Sequence, residues 1–196
     1  NIGYAIPPGD VEEGWTQKKV ATVKEAVDVP VFLVGGMKDP SRAEDMIASG
    51  DADMVAMTRT QIADPHYVKK LKEGRSDEIT HCIRCNDACI GRLFEGKTVT
   101  CVVNPSAGRE EILGPQTLES AEEPRHWAVV GGGPAGMKAA SVLGKRGHEV
   151  TLLEKDDQLG GQVNWILETP RRDSFGWLIE DLKVKLKKQN VDVRLN

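Results

Sequence analysis

The sequence has 196 residues, enough for one or two domains, and its 39% hydrophobic and 29% charged residues are an ordinary balance for a globular chain. A net charge of −4 provides no electrostatic footprint for nucleic acid, and no apolar run approaches the roughly 18 residues that span a bilayer. The first ten residues lack a basic start and an apolar h-region, so a cytoplasmic protein with reduced thiols is expected.

The chain opens on Asn1 and on a loop signal, Pro7-Pro8-Gly9-Asp10, and closes on the alternating stretch Val191 to Asn196. Both ends stop within an architecture, which points to an internal fragment of a longer protein rather than a trimmed natural domain. Val20, Val23 and Val27 predict a helix from about Glu13 to Val27. The apolar run Val29 to Val34 suits a strand buried on both faces of a parallel sheet, and it ends in Gly35-Gly36. Asp39-Pro40 then supplies an N-cap and a proline at the first helical position, with Gly50 as the stop. Asp53 to Met57 is a second strand, with Thr58 and Arg59 at its C-terminal end, and Asp64-Pro65 repeats the capping signal for a helix to about Glu73.

Two consecutive βα units of this kind match the C-terminal end of a TIM (β/α)8 barrel, where the last two βα loops often form a phosphate site. A glycine turn can point N–H groups at phosphate oxygens without a Cβ in the way, and Arg59 adds a charged fork. The plainer alternative is a tight turn and a solvated charge.

All four cysteines follow within twenty residues, as Cys82, Cys85, Cys89 and Cys101, a C-x2-C-x3-C-x11-C spacing. Disulfides conflict with a reducing compartment. A four-thiolate zinc site is possible, although such sites usually pair two C-x2-C knuckles. Three thiolates in one tight loop with a fourth at a distance suit a [4Fe–4S] cube, whose sulfurs the N–H groups around Asn86 to Gly91 could bond. His81 is not needed as a ligand, and Arg84 reads as a solvated charge. Thr98 to Val103 looks strand-like, and Glu110 to Pro124, with five glutamates, reads as an exposed connector.

From Arg125 the pattern becomes that of a Rossmann-like FAD/NAD-binding domain. His126 to Val130 is a strand, Gly131-Gly132-Gly133-Pro134-Ala135-Gly136 follows at once, and Met137 to Lys145 is a helix with Gly147 beyond it. A second strand, Glu149 to Leu153, ends on Glu154. Gly131 allows the tight turn, Gly133 lets the backbone approach a pyrophosphate, and Gly136 permits close helix packing. The helix N-terminus would face the phosphates, and Glu154 would accept hydrogen bonds from ribose hydroxyls. Leu159-Gly160-Gly161-Gln162 is a further glycine turn, Ser174 to Lys188 a second helix, and Val191 to Leu195 the last strand. His66, His126 and His148 carry no assignment, and Trp15, Trp127, Trp165 and Trp177 read as packing residues. The expected domains are residues 1–75 (barrel end), 76–124 (cysteine segment and linker) and 125–196 (start of the Rossmann-like domain).

His81-Cys82-Ile83-Arg84-Cys85-Asn86 with Cys89, followed by Cys101-Val102-Val103-Asn104-Pro105, resembles the cluster segment of the NADH:flavin oxidoreductase family. Gly50 to Val55 through Arg59 and Ala63-Asp64 resembles that family's last barrel strand. The x3 gap is closer to the 2,4-dienoyl-CoA reductase type than to the trimethylamine dehydrogenase type.

The resemblance implies FMN with its phosphate near Gly35, Gly36, Thr58 and Arg59, and a [4Fe–4S] cluster on Cys82, Cys85, Cys89 and Cys101. It further implies FAD (or ADP) on Gly131, Gly133, Pro134, Ala135, Gly136 and Glu154, with Lys155, Gly161 and Gln162 nearby. It implies electron flow from NAD(P)H to a small enoyl- or dienoyl-type substrate, or the reverse flow from an amine to a carrier such as an electron-transfer flavoprotein. No catalytic acid or base is assigned, since the family places those in earlier barrel strands, and this segment alone is expected not to turn over substrate. A non-catalytic zinc-stapled nucleotide-binding module is the reading from a different class.

Overall fold

The computed structural model describes residues 5–196, so the first four residues of the expected opening loop and first domain lie outside the described residues. Helix α1 spans Gln17–Ala26, shorter at both ends than its periodicity suggested. Strands β1 (Phe32–Val34) and β2 (Met54–Ala56) pair in parallel, Leu33 opposite Val55, and α2 (Pro40–Ala48) makes the crossover between them. Helix α2 begins where the sequence places it, because the Asp39 carboxylate accepts the Ser41 N–H at 2.9 Å and Pro40 needs no acceptor. Leu33, Met37, Ala43, Met46 and Ala52 form the core of this unit. Phe32, Val34 and Met54 stay about half exposed, so β1 is covered on one face rather than on both.

Thr58 and Arg59 follow the C-terminal end of β2, as expected, and open a short helix, α3 (Thr58–Ala63). Two expectations are corrected in the middle of the chain. Asp64-Pro65 does not start a helix directly. The Asp64 carboxylate accepts the His66 N–H at 3.0 Å and the Thr80 N–H at 2.8 Å, and α4 begins at Tyr67 and ends at Lys72. Thr98 to Val103 joins no sheet, because its peptide groups bond locally: the Thr100 N–H donates to Ala88 O at 2.9 Å. The connector from Glu110 to Pro124 is mostly exposed, as expected, with a helical turn at Glu110–Leu113 and a 3₁₀ turn at Pro115–Thr117.

The third segment is a parallel sheet in the order β3 (His126–Val130), β4 (Glu149–Glu154), β5 (Asp192–Leu195). Helix α5 (Pro134–Lys145) links β3 to β4. Helix α6 (Gln162–Leu167), which follows the second glycine turn, was not anticipated; α7 (Gly176–Lys188) was. Met137, Ala140, Val150, Leu152, Ile179, Leu182 and Leu186 pack between sheet and helices. Each fully buried leucine among them stabilises the unit by about 1.5–3 kcal/mol.

A smaller core joins the two halves: Ala63, Cys82, Ile83 and Val103, against which Cys85, Cys101, Phe175 and Leu178 pack. The cysteine segment is therefore clamped between α3 and the start of α7. Among the described residues no helix is long and apolar enough to cross a membrane. Of the four tryptophans, Trp165 is 78% exposed and does not serve the core.

Candidate functional site

The cysteine segment is held from both sides. On one side the buried Asp64 carboxylate fixes Thr80 and pairs with Lys70, whose Nζ also donates to Glu78 O at 2.9 Å. On the other, Asp181 of α7 accepts the His81 N–H at 2.7 Å and contacts Nδ1 at 2.8 Å, while the His81 ring stacks on Trp177 at 4.0 Å. Lys185 adds a bond to the Thr80 hydroxyl at 2.8 Å. His81 is thus an anchor for the residue beside the first cysteine. Only its position next to Cys82 could have drawn attention to it.

Beyond this anchor the backbone turns in the left-handed region at Arg84 (φ +53°) and at Asn86 (φ +61°), then winds through a π-helical turn over Asp87–Gly91. Left-handed backbone is uncommon for residues with a Cβ, and here it aims N–H groups at sulfur. The Arg84 N–H bonds Cys82, the Asp87 N–H bonds Cys85, and the N–H groups of Val103 and Asn104 bond Cys101. Burial pushes all three of these thiols above their ordinary range, with the N–H bonds opposing it only in part. A coordinated cation would reverse that balance and hold the sulfurs as thiolates.

All four cysteines are free, and all four line one cavity together with Arg59, Ile62, Arg84 and Asn86. Among the described residues no three His, Cys, Asp or Glu side chains gather closely enough to hold one metal ion. A single zinc ion would draw its sulfurs to within roughly 3.8 Å of each other, since each Zn–S bond is about 2.3 Å. A donor set of four thiols around one cavity fits a [4Fe–4S] cluster, which takes one thiolate per iron.

A larger cavity, with about 950 Å³ of empty space including its mouth, adjoins the first. Gly36, Lys38, Thr58, Arg59 and Thr60 line it, and so do Cys82, Arg84 and Cys89. Gly36 has φ +69°, and a Cβ there would come within 2.9 Å of Pro7 and 3.2 Å of the Arg84 guanidinium. This turn fits a phosphate-bearing group, because it has both a bare backbone and two guanidinium side chains. Gly35 is not on the cavity wall: its carbonyl accepts the Gly14 N–H at 2.8 Å, and a Cβ would strike the Thr16 hydroxyl at 2.6 Å. Arg59 donates to the Asn86 side-chain oxygen, and Asn86 in turn donates to Ile6 O at 3.0 Å. Arg84, expected in solvent, is only 5% exposed.

The glycine-rich turn after β3 is closed by two bonds. The Gly131 N–H donates to Leu153 O at 2.7 Å, and the Gly132 N–H donates to the Glu154 carboxylate at 2.6 Å. Gly131 needs its φ of +102°, and Gly136 has no room for a side chain, since a Cβ would lie 1.9 Å from Gly131 O. Gly133, by contrast, has nothing within 4 Å of where a Cβ would lie, so its missing side chain leaves a space that the described residues do not fill. Pro134, Ala135 and Gly136 form the first turn of α5, whose N-terminus opens beside that space.

Glu154 also accepts the Asp156 N–H at 3.0 Å, and these backbone bonds, that from Asp156 foremost, hold its carboxyl below the usual range. The second glycine turn joins the first through the Gly160 N–H to Gly132 O bond at 2.9 Å, and a Cβ on Gly161 would sit 3.2 Å from the Gly133 Cα. Gln162 is exposed at the start of α6, and Lys155 is solvent-exposed and paired with Asp156 at 2.7 Å.

Residues 7–78 match the NADH:flavin oxidoreductase / NADH oxidase family, and residues 129–170 match an NAD(P)-binding Rossmann-like domain. The chain is 43% identical to an NADH oxidase of Thermoanaerobacter brockii over 96% of its length. It is 40% identical to an N,N-dimethylglycine/sarcosine dehydrogenase of Chromohalobacter salexigens over 89% of its length. A 2-naphthoyl-CoA reductase, solved with 2-naphthoyl-CoA, superposes on 96% of the chain with a TM-score of 0.89 and 31% identity. The chain spans 29%, 25% and 29% of the lengths of these three proteins. With an α/β fold, a parallel βα pair matching the one model and a glycine-turn sheet matching the other, residues 7–78 of the chain match the NADH:flavin oxidoreductase / NADH oxidase family, and its relatives are flavin-dependent oxidoreductases of that kind.

Proposed function

We propose that this chain is the electron-transfer section of an NAD(P)H-dependent iron–sulfur flavoenzyme that reduces a small enoyl- or dienoyl-type substrate. In this reading residues 1–75 end an FMN-binding barrel, 76–124 hold a [4Fe–4S] cluster, and 125–196 begin the FAD- or ADP-binding domain. The bound groups would supply hydride acceptance at FAD, single-electron transfer through the cluster and substrate reduction at FMN.

The observation that carries the reading is the shared wall: Arg59, Ile62, Cys82, Arg84 and Cys89 line both cavities. A group seated at the Gly36 turn and one held by the four thiols would be separated only by these side chains. The residues have divided tasks. Gly36, Thr58 and Arg59 bind the FMN phosphate; Cys82, Cys85, Cys89 and Cys101 hold the cluster; the N–H groups of Arg84, Asp87, Val103 and Asn104 stabilise negative charge on sulfur. Gly131, Gly133 and the first turn of α5 receive the pyrophosphate, and the Glu154 carboxylate exchanges its bond to the Gly132 N–H for a ribose hydroxyl.

A second reading is favoured by the 40% identity to the N,N-dimethylglycine/sarcosine dehydrogenase, namely N-methyl amine oxidation with electrons leaving to a carrier such as an electron-transfer flavoprotein. Rapid anaerobic mixing of the intact protein with NADH, NADPH or a tertiary amine separates the two. Bleaching of the flavin band by a nicotinamide supports the reductase, bleaching by the amine alone supports the dehydrogenase, and bleaching by none of them removes both.

A further inference from the structure

We infer that Arg84 is a second guanidinium ligand for the dianionic end of the group bound at the Gly36 turn, a phosphate monoester, and that its backbone ties that site to Cys82. The inference rests on the flavin reading above and assigns a residue beyond it.

Arg84 is buried, yet among the described residues its guanidinium donates to a neutral acceptor, Val11 O at 2.7 Å, and its Nε is buried without a partner. Arg59, on the same cavity wall, likewise donates to a neutral amide oxygen, that of Asn86. A buried guanidinium with an unused donor, beside the half-buried guanidinium of Arg59, favours an anion between them, and two forks suit a dianion better than a single charge.

The location agrees with this need. The guanidinium lies 3.2 Å from the point where a Gly36 Cβ would be, and both residues line the same cavity, so an anion seated there against the Gly36 turn is within its reach. The left-handed φ of Arg84 sends its side chain and its N–H to different tasks: the side chain reaches the Gly36 turn, and the N–H bonds Cys82. One residue thus contacts both sites.

The test titrates flavin-stripped intact protein with FMN and with riboflavin, which lacks the phosphate, for the wild type, Arg84→Met and Arg84→Lys. The expected result is FMN binding weakened at least about 10-fold by Arg84→Met, an intermediate loss for Arg84→Lys, riboflavin binding within about 2-fold of wild type, and unchanged iron per chain. The FMN-to-riboflavin ratio cancels any general loosening of the fold. Unchanged FMN affinity, an equal loss for both flavins, or loss of iron together with FMN would each overturn the inference and leave the flavin reading intact. A wild type that binds neither flavin removes both.

Discussion

Gly133 and Gly136 stand three residues apart in the same turn, and alanine should affect them in opposite ways. At Gly136 the added Cβ would lie 1.9 Å from Gly131 O, a backbone atom, whereas Cβ contacts under 3.0 Å essentially do not occur. The start of α5 and the glycine turn would have to separate by more than roughly 1 Å in a region packed at crystal-like density. Overpacking of that kind costs about 1–3 kcal/mol, and the immovable carbonyl places Gly136→Ala at the upper end.

At Gly133 the Cβ meets nothing within 4 Å, and φ −71°, ψ 174° is extended backbone that alanine adopts freely. Gly133→Ala should therefore change stability by less than about 1 kcal/mol, since the entropy gained through the unfolded chain is offset by alanine's poorer capping of α5. The space it fills is where a pyrophosphate would lie, so its ADP and FAD affinity should fall by about 10-fold or more. Urea unfolding and calorimetric titration with ADP and FAD, on the intact protein, read both effects. A Gly133→Ala variant that binds ADP and FAD as tightly as wild type would refute the turn as a phosphate cradle. A fully stable Gly136→Ala variant would refute the close-packing argument.

Three further outcomes follow from charges and anchors. Burial lowers the Lys185 pKa from 10.5 to about 8, so the unfolded chain holds the extra proton between those values and stability should rise with pH across that window; Lys185→Met should remove this rise and add on the order of 2–3 kcal/mol at pH 7, read by urea midpoints from pH 7 to 10.5. The Glu154 carboxyl is held below its ordinary 4.5, so its contribution is present above that value and lost as pH falls through the lower folded value; Glu154→Gln should flatten the acid limb of thermal unfolding below pH 4.5. Asp181→Ala leaves the His81 N–H without its acceptor, which should cost about 1–3 kcal/mol and expose residues 82–104 to limited proteolysis.

The parts of the fold legible in the sequence were those where one residue has one reason to be there. Asp39-Pro40 capped its helix because both residues act on the first turn alone, and Gly131 and Gly136 fell where backbone geometry excludes a Cβ. The reading failed where a local signal was used over a long range. Asp64-Pro65 looked like a helix cap, but the carboxylate reaches sixteen residues ahead to Thr80. Thr98 to Val103 had strand composition but no neighbour to pair with. Arg84 looked like a surface charge because composition cannot reveal that a left-handed turn buries it beside Gly36. The His81–Asp181 anchor joins residues a hundred positions apart, and no spacing rule in the chain points to it.

The proposed cluster on the four thiols would occupy a cavity that shares a wall with the proposed flavin site. Metal and acid-labile sulfide analysis of the anaerobically purified intact protein, with electron paramagnetic resonance after dithionite reduction, tests it most directly. The expected result is about four iron and four sulfide per chain with a reducible cubane signal, lost in Cys85→Ser and Cys101→Ser. A colourless protein with about one zinc per chain and no sulfide would contradict it.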